Sequence, residues 1–158
     1  MRDSTVLPQV VAVCISSGGI PKLRQSSVQV TAAGLAGDGH NHAKHNTPLQ
    51  AVCLQDQEVL EDLRQEGFAV ASGVIGENVT VRHLHVNRLP VGTILEFSGG
   101  VVLELTKERK PCYVLDAIGP RLKEVIIGRC GFYGKVVREG FINAGETIQV
   151  RTLHEAKD

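Results

Sequence analysis

The sequence predicts an all-β fold, a barrel or a sandwich, with few helices. Glycine occurs 17 times and recurs between short β-branched runs, a pattern typical of many short strands joined by turns. The runs at 93–97 and 101–105 flank Ser98-Gly99-Gly100, and this arrangement indicates a hairpin. With 158 residues, of which 42% are hydrophobic, the chain is long enough for one domain with its own core and too short to suggest two.

Helices are expected at two places. The stronger spans 56–66, where Asp56 can cap the first turn and Gly67 offers a left-handed stop. The weaker spans about 113–125 and is expected to split at Gly119-Pro120. Apolar or alternating runs predict the remaining strands, at 10–15, 27–30, 78–81, 131–137 and 146–151.

The charge balance argues against nucleic acid and membrane as partners. Lys and Arg number 17 against 17 Asp and Glu, and the sequence pI is near 7.0, so no global positive field attracts polyanions and any anion binding must be local. Tryptophan is absent and aromatic residues make up 4%, which leaves little from which to build a base-stacking surface. Because neither a signal peptide nor a spanning segment is visible, we expect a cytoplasmic protein.

The four cysteines are read as individual thiols, because they show neither zinc-knuckle pairing nor the density of a disulfide scaffold. Cys112 stands out among them, since Lys107, Arg109 and Lys110 precede it and nearby positive charge favours the thiolate. Pro111 is expected to take the chain out of the sheet and present Cys112 at a rim. The alternative is a small buried hydrophobic side chain beside a solvated charge run.

A loop rich in glycine and histidine is a second candidate site. Residues 34–45 contain three glycines together with Asp38, His40, His42 and His45, and such a loop can turn backbone N–H groups and imidazoles toward an anion. As a zinc site it is weak, because its spacing, even with Cys53 added, matches no closed structural site. A polar surface loop is the alternative interpretation.

Two further elements carry polar side chains. Glu77 and Asn78 lead into the strand at 78–81, where a carboxylate and an amide can recognise donor and acceptor edges of a ligand or simply close a turn. Arg129 follows an apolar stretch, and its guanidinium is a candidate to bind phosphate through two parallel hydrogen bonds. Cys130 beside it is interpreted as a core residue that packs against apolar neighbours.

The order of these motifs resembles the MOSC domain, named for the C-terminal part of molybdenum cofactor sulfurases. The similarity covers about residues 9–150, nearly the whole chain, and we expect one such domain over 1–158. The matching segments are VVAVCIS, GLAGDGH, the helix beginning at Gln55-Asp56, GENVTV, LPVGTILEF, KPCYVL and GFYGKVVREGFINAGETIQV.

The resemblance implies a closed β-barrel with a few short helices and a bound molybdenum cofactor (molybdopterin). Cys112 is in the position that carries sulfur or ligates molybdenum in this family. The candidates for the pocket wall are Asp38, His40, Glu77 and Asn78, and nearby cations, with Lys110 and Arg129 as candidates, could meet the pterin phosphate.

The resemblance leaves the reaction open. Relatives include a sulfurase with a separate pyridoxal-phosphate domain, which we do not recognise in this chain, and reductases of N-hydroxylated compounds. Cofactor sulfuration or delivery would need a desulfurase partner, and molybdenum-dependent reduction would need an electron-donor protein. A non-enzymatic binding or adaptor module in molybdenum cofactor assembly is the alternative.

Overall fold

A computed structural model describes residues 6–39 and 47–152, which are mostly β with few helices. The helices are α1 (Gln57–Gln65) and α2 (Leu122–Val125), with 3-10 turns at Pro48–Gln50, Val86–Arg88 and Tyr113–Ala117. The strands are β1 (Gln9–Ile15), β2 (Leu23–Gln25), β3 (Ser27–Thr31), β4 (Gly34–Leu35), β5 (Val52–Asp56), β6 (Val79–Arg82), β7 (Ile94–Phe97), β8 (Val102–Glu108), β9 (Phe132–Arg138), β10 (Gly140–Asn143) and β11 (Ile148–Arg151).

The strands form an eight-stranded sheet in the order β11-β7-β8-β9-β5-β6-β1-β2 and a three-stranded sheet in the order β10-β3-β4. The predicted closed barrel is not confirmed, because the sheet does not close on itself. β2 occupies one edge of β1 opposite residues 13–15, and this leaves only the start of β1 to approach the segment before β11. There, Gln9 pairs with Thr147, and the N–H groups of Val10, Gly145 and Ile148 donate to the carbonyls of Glu146, Val10 and Pro8 at 2.8, 2.8 and 2.9 Å.

The predicted hairpin and the split helical segment are confirmed. β7 and β8 pair antiparallel with Leu95 opposite Leu103, and Gly100 closes the turn at a φ of +111° that L side chains rarely adopt. The segment after Cys112 forms the 3-10 turn Tyr113–Ala117 and then the separate helix α2, because Pro120 lacks the N–H that a continuous helix would need.

A parallel crossover is the main departure from the predicted pattern of short strands joined by turns. β5 and β6 run parallel, with Leu54 opposite Val79, and α1 lies between them in the chain because parallel neighbours need a long connection. Asp56 is at the N-cap position of α1, as predicted, but its side chain makes no capping bond. Instead, its two carboxylate oxygens accept the Val86 N–H at 3.0 and 3.2 Å.

Two apolar clusters support this arrangement. The larger fills the space between the sheets, and its fully buried members include Leu54, Leu95, Leu103, Leu105 and Ile148. The smaller packs α1 against α2 and the 3-10 turn after Cys112, and includes Leu60, Leu63, Leu115, Leu122, Ile126 and Cys130. Neither helix within the described ranges has the length and apolar character that crossing a bilayer requires.

Candidate functional site

Cys112 lies at the surface end of β8, where the chain leaves the sheet. It is partly exposed and has an extended backbone, with φ −137° and ψ 175°, at the start of the 3-10 turn Tyr113–Ala117. Its carbonyl accepts the Leu115 N–H at 3.1 Å, while the neighbouring Tyr113 is 64% exposed. The sulfur is therefore neither sealed in the core nor on a free strand, which matches the rim position expected after Pro111.

The other three cysteines are buried and unsuited to reaction as thiolates. Burial raises the pKa of Cys14 to about 12 and that of Cys53 to about 11, and it also raises the pKa of Cys130. A neutral thiol is a poor nucleophile and a poor metal ligand. Cys112 is thus the thiol that a ligand can reach in this chain.

The three cations that precede Cys112 have different surroundings. The Lys110 side chain is 77% exposed, with its Nζ 3.9 Å from the Glu108 carboxylate. Lys107 is also exposed, because a bulge between Leu105 and Lys107 changes the alternation of β8. Arg109 turns inward and is only 7% exposed.

Arg109 and Glu77 are two buried residues of opposite formal charge, and each is hydrogen-bonded to a residue of the 75–80 segment. Arg109 Nη2 donates to the Ile75 carbonyl at 2.6 Å, and Glu77 Oε2 accepts the Thr80 hydroxyl at 2.9 Å. Each also has a buried atom, Arg109 Nη1 and Glu77 Oε1, with no hydrogen-bond partner among residues 6–39 and 47–152. Burial raises the pKa of Glu77, so this carboxyl resists ionisation more than an exposed one.

Asp38 and Asn78 lie together, and both hold the backbone in place. Asp38 accepts two 2.7 Å bonds from Lys22 Nζ, the Ser16 N–H at 3.0 Å and Asn78 Nδ2 at 2.9 Å. Asn78 Oδ1 also accepts the Cys53 N–H at 2.9 Å, and its amide nitrogen donates to the Cys14 carbonyl at 3.2 Å. These bonds fasten the 35–39 loop to the ends of β1 and β5.

The histidines of the candidate loop, His40 with His42 and His45, lie outside the described residues. Gly39, just before them, is fixed by its N–H bond to the Ser16 carbonyl at 2.8 Å. In the part of the chain that the structure describes, no three His, Cys, Asp or Glu side chains are placed to hold a metal ion.

Arg129 lies away from these groups and is engaged with α1. Its two terminal nitrogens donate to the Glu66 carboxylate at 2.8 and 2.9 Å, and its Nε donates to the Val125 carbonyl at 3.1 Å. The hydrogen bonds from Arg129 lower the pKa of Glu66. A phosphate would therefore have to displace a bidentate carboxylate to reach this guanidinium.

Two buried contacts of this region, Arg109 with Ile75 and Lys22 with Asp38, were not predicted from the sequence. Strand alternation gave no signal for Arg109, because the bulge between Leu105 and Lys107 shifts the alternation of β8 and Arg109 follows the last residue of that strand. Lys22 gave no local signal either, since its partner Asp38 is 16 positions away in the chain and the two meet only through the fold.

Comparison with known proteins assigns the family. The MOSC domain model matches residues 41–149. A protein named "Reductase" from Gibberella moniliformis (strain M3125 / FGSC 7600) is 28% identical over 144 residues, which are 86% of this chain and 26% of that protein. YflK from Bacillus subtilis (strain 168) is 27% identical over 150 residues, 89% of this chain and 66% of YflK. The chain thus spans about a quarter of the first relative and just under two thirds of the second.

Solved structures share the fold. The YuaD protein from Bacillus subtilis superposes with a TM-score of 0.79 at 17% identity, covering 93% of this chain and 97% of YuaD. YiiM from Geobacillus stearothermophilus gives a TM-score of 0.76 at 22% identity, covering 91% of this chain and 75% of YiiM. With the family model matching more than half of its length, this chain belongs to the MOSC domain family.

Proposed function

We propose that this protein binds a molybdenum cofactor of the pterin type and that Cys112 supplies a thiolate ligand to the metal. The observation that carries the proposal is the contrast among the four thiols of this MOSC domain. Cys112 is partly exposed, whereas Cys14, Cys53 and Cys130 are buried and have raised pKa values. Thiolate is a soft donor, which suits a metal of this kind.

The donor set fits a metal that arrives already held by an organic group. One reachable thiol, without three further acidic, histidine or cysteine ligands in the described ranges, would not retain a bare ion. It can, however, add one bond to a metal whose remaining ligands come from a cofactor. When bound, such a cofactor would supply the redox or sulfur chemistry, and the protein would supply its position and surroundings.

Two buried atoms without a hydrogen-bond partner fit the polar part of such a ligand. Glu77 Oε1 is an acceptor and Arg109 Nη1 a donor, and each lacks a partner in the described part of the chain. Buried polar groups are nearly always paired in folded proteins, so unpaired ones require an explanation. A pterin carries both donor and acceptor edges and could satisfy both. In this proposal Asp38 and Asn78 shape the pocket by holding its backbone.

For the reaction, we propose molybdenum-dependent reduction with electrons from a partner protein. The support is the fungal relative named "Reductase", whose similarity covers 86% of this chain. Cys112 would hold the metal, and the substrate would approach from the exposed side of the 3-10 turn Tyr113–Ala117.

Metal and pterin analysis of protein freshly purified from molybdenum-replete cells tests the proposal. We expect both components in the wild type and loss of the metal in Cys112→Ser with the circular dichroism spectrum unchanged. Cys130→Ala is the matched control, because it removes a thiol that is fully buried. Absence of pterin after mild purification, with none taken up on reconstitution, would overturn the proposal.

Sulfur carriage by Cys112 is a second candidate, favoured by the position of the thiol at a surface turn that a partner protein can reach. The Cys112 thiolate would attack the outer sulfur of a persulfide on a desulfurase, and the desulfurase thiolate would leave. Mass spectrometry after incubation with a cysteine desulfurase should then show one added sulfur on Cys112. An adduct spread equally over the four cysteines would rule this out.

A further inference from the structure

We propose that Arg109 is the positioning residue for Cys112: it fixes the chain three residues before the thiol, so that the sulfur is presented in one place. This inference rests on the proposed function, in which Cys112 meets the ligand. It concerns how the protein prepares the thiol before any ligand binds.

Arg109 joins three separate segments of the chain. Its backbone N–H donates to the Gly131 carbonyl at 3.1 Å, which continues the pairing of β8 with β9 beyond Glu108. Its side chain crosses to the 73–78 segment and donates through Nη2 to the Ile75 carbonyl at 2.6 Å. A bond from a charged donor at this distance is stronger than one between neutral groups.

The surroundings of Arg109 leave its guanidinium little room to move. The residue is 7% exposed, and Gly76, at φ +101°, passes beside it. A Cβ added at Gly76 would lie 3.4 Å from Arg109 Nη2 and 3.0 Å from Ile20 Cγ2. Because both ends of Arg109 are held, the backbone at 109 is fixed relative to the 73–78 segment.

Cys112 is bracketed by this anchor on one side and by a hydrogen-bonded turn on the other. Pro111 has a fixed φ, so little freedom remains between Arg109 and Cys112. After the thiol, the Leu115 N–H bond to the Cys112 carbonyl at 3.1 Å closes the turn, and the buried Leu115 side chain packs into the smaller apolar cluster. Removing the anchor should therefore loosen the segment that carries the thiol and leave the rest of the fold intact.

The test measures alkylation of each cysteine by iodoacetamide in native, cofactor-free protein, with peptide mass spectrometry as the readout. Arg109→Met keeps the length of the side chain and removes its charge and donors. Arg109→Lys keeps the positive charge, but the side chain is shorter and ends in a single ammonium group instead of a guanidinium. Lys110→Met is the matched control, since it removes an adjacent cation whose side chain is 77% exposed.

We expect Cys112 to react about tenfold faster in Arg109→Met and about threefold faster in Arg109→Lys, because loss or weakening of a charged hydrogen bond favours local opening. Lys110→Met should stay near the wild-type rate. The buried thiols at 14, 53 and 130 should remain protected throughout, whereas a purely structural role of Arg109 would expose them together with Cys112. Should Arg109→Met fail to fold, Arg109→Lys decides by the same criterion.

Equal Cys112 rates in the Arg109 variants and the control, or simultaneous exposure of all four thiols, would overturn the inference. Because the assay uses no cofactor, it is independent of the metal and pterin analysis. A selective change at Cys112 in a protein that never takes up pterin would support the positioning role and defeat the proposed function. Pterin uptake by the wild type, with unchanged alkylation of Cys112 in the Arg109 variants, would support the proposed function and overturn the positioning role.

Discussion

The buried carboxyl of Asp56 predicts a specific dependence of stability on pH. Asp56 is 2% exposed, and burial raises its pKa from the ordinary 3.8 to about 6, although the Val86 N–H bond acts in the opposite direction. As pH rises above 3.8, the unfolded chain releases this proton while the folded protein retains it until about pH 6. The group therefore contributes stability at low pH that is lost as pH rises toward and through 6.

The size of the effect follows from the pKa change. At about 1.36 kcal/mol per pKa unit, moving from 3.8 to about 6 corresponds to roughly 3 kcal/mol. The dipole of α1 favours the charged form at its N-terminus by up to about 2 kcal/mol, which is less than the effect of burial, so the sign is unchanged. Asp56→Asn removes the titration, and its amide oxygen can still accept the Val86 N–H.

Urea unfolding of the wild type and of Asp56→Asn at pH 4, 5, 6, 7 and 8 measures this difference. Between pH 4 and pH 8, the free energy of unfolding of the wild type should fall by roughly 2.5 kcal/mol more than that of the variant, because at pH 4 the unfolded chain has already released part of this proton. Asp62→Asn is the matched control, since Asp62 is an exposed residue of the same helix. Parallel pH profiles for the wild type and Asp56→Asn would refute the reasoning.

Three further predictions concern the framework of the site, each measured by urea unfolding. Asn78→Ala should lower the free energy of unfolding by roughly 2–4 kcal/mol, because it leaves buried backbone groups unpaired; a loss below about 1 kcal/mol would contradict the structural role given to these bonds. Lys22→Met should lower the free energy of unfolding by about 3 kcal/mol, because it removes the ammonium that lies 2.7 Å from the buried Asp38 carboxylate, and Asp38→Asn in the same chain should restore much of it; additive losses would contradict this. Gly73→Ala should lower the free energy of unfolding more than Gly100→Ala. Both glycines have a positive φ, but only at Gly73 would an added Cβ meet backbone, at 2.2 Å from the Lys22 carbonyl oxygen. Equal losses of stability would mean that a backbone shift relieves this close contact.

The parts of the fold that depend on local chemistry could be predicted. The 93–105 hairpin follows from its glycine turn, and the split of the 113–125 segment follows from Pro120. β5 was not predicted, because its fully buried run has no alternation and leads directly into the polar start of α1. Its parallel pairing with β6 depends on a contact between residues about 25 positions apart and leaves no local signal.

The candidate site was also predicted from the sequence only in part. The sequence singled out Cys112 by its neighbours, and the fold leaves it partly exposed while the other three cysteines are buried; the surroundings of the neighbouring cations could not be predicted from their spacing. Lys110 faces solvent, and Arg109 turns beneath the sheet edge to Ile75. Asp38 and Asn78, predicted as pocket wall, meet through bonds that also hold backbone ends together.

The sequence by itself determined the β character, the hairpin, the helix at α1 and the family, because these depend on residue type at short spacing along the chain. The tertiary structure alone decided that the sheet stays open, that three thiols are buried and one is not, and that Arg109 meets Ile75. The physical reason is that burial and pairing across long separations depend on which surfaces pack together, and side chains next to each other in sequence can point to opposite sides of a strand.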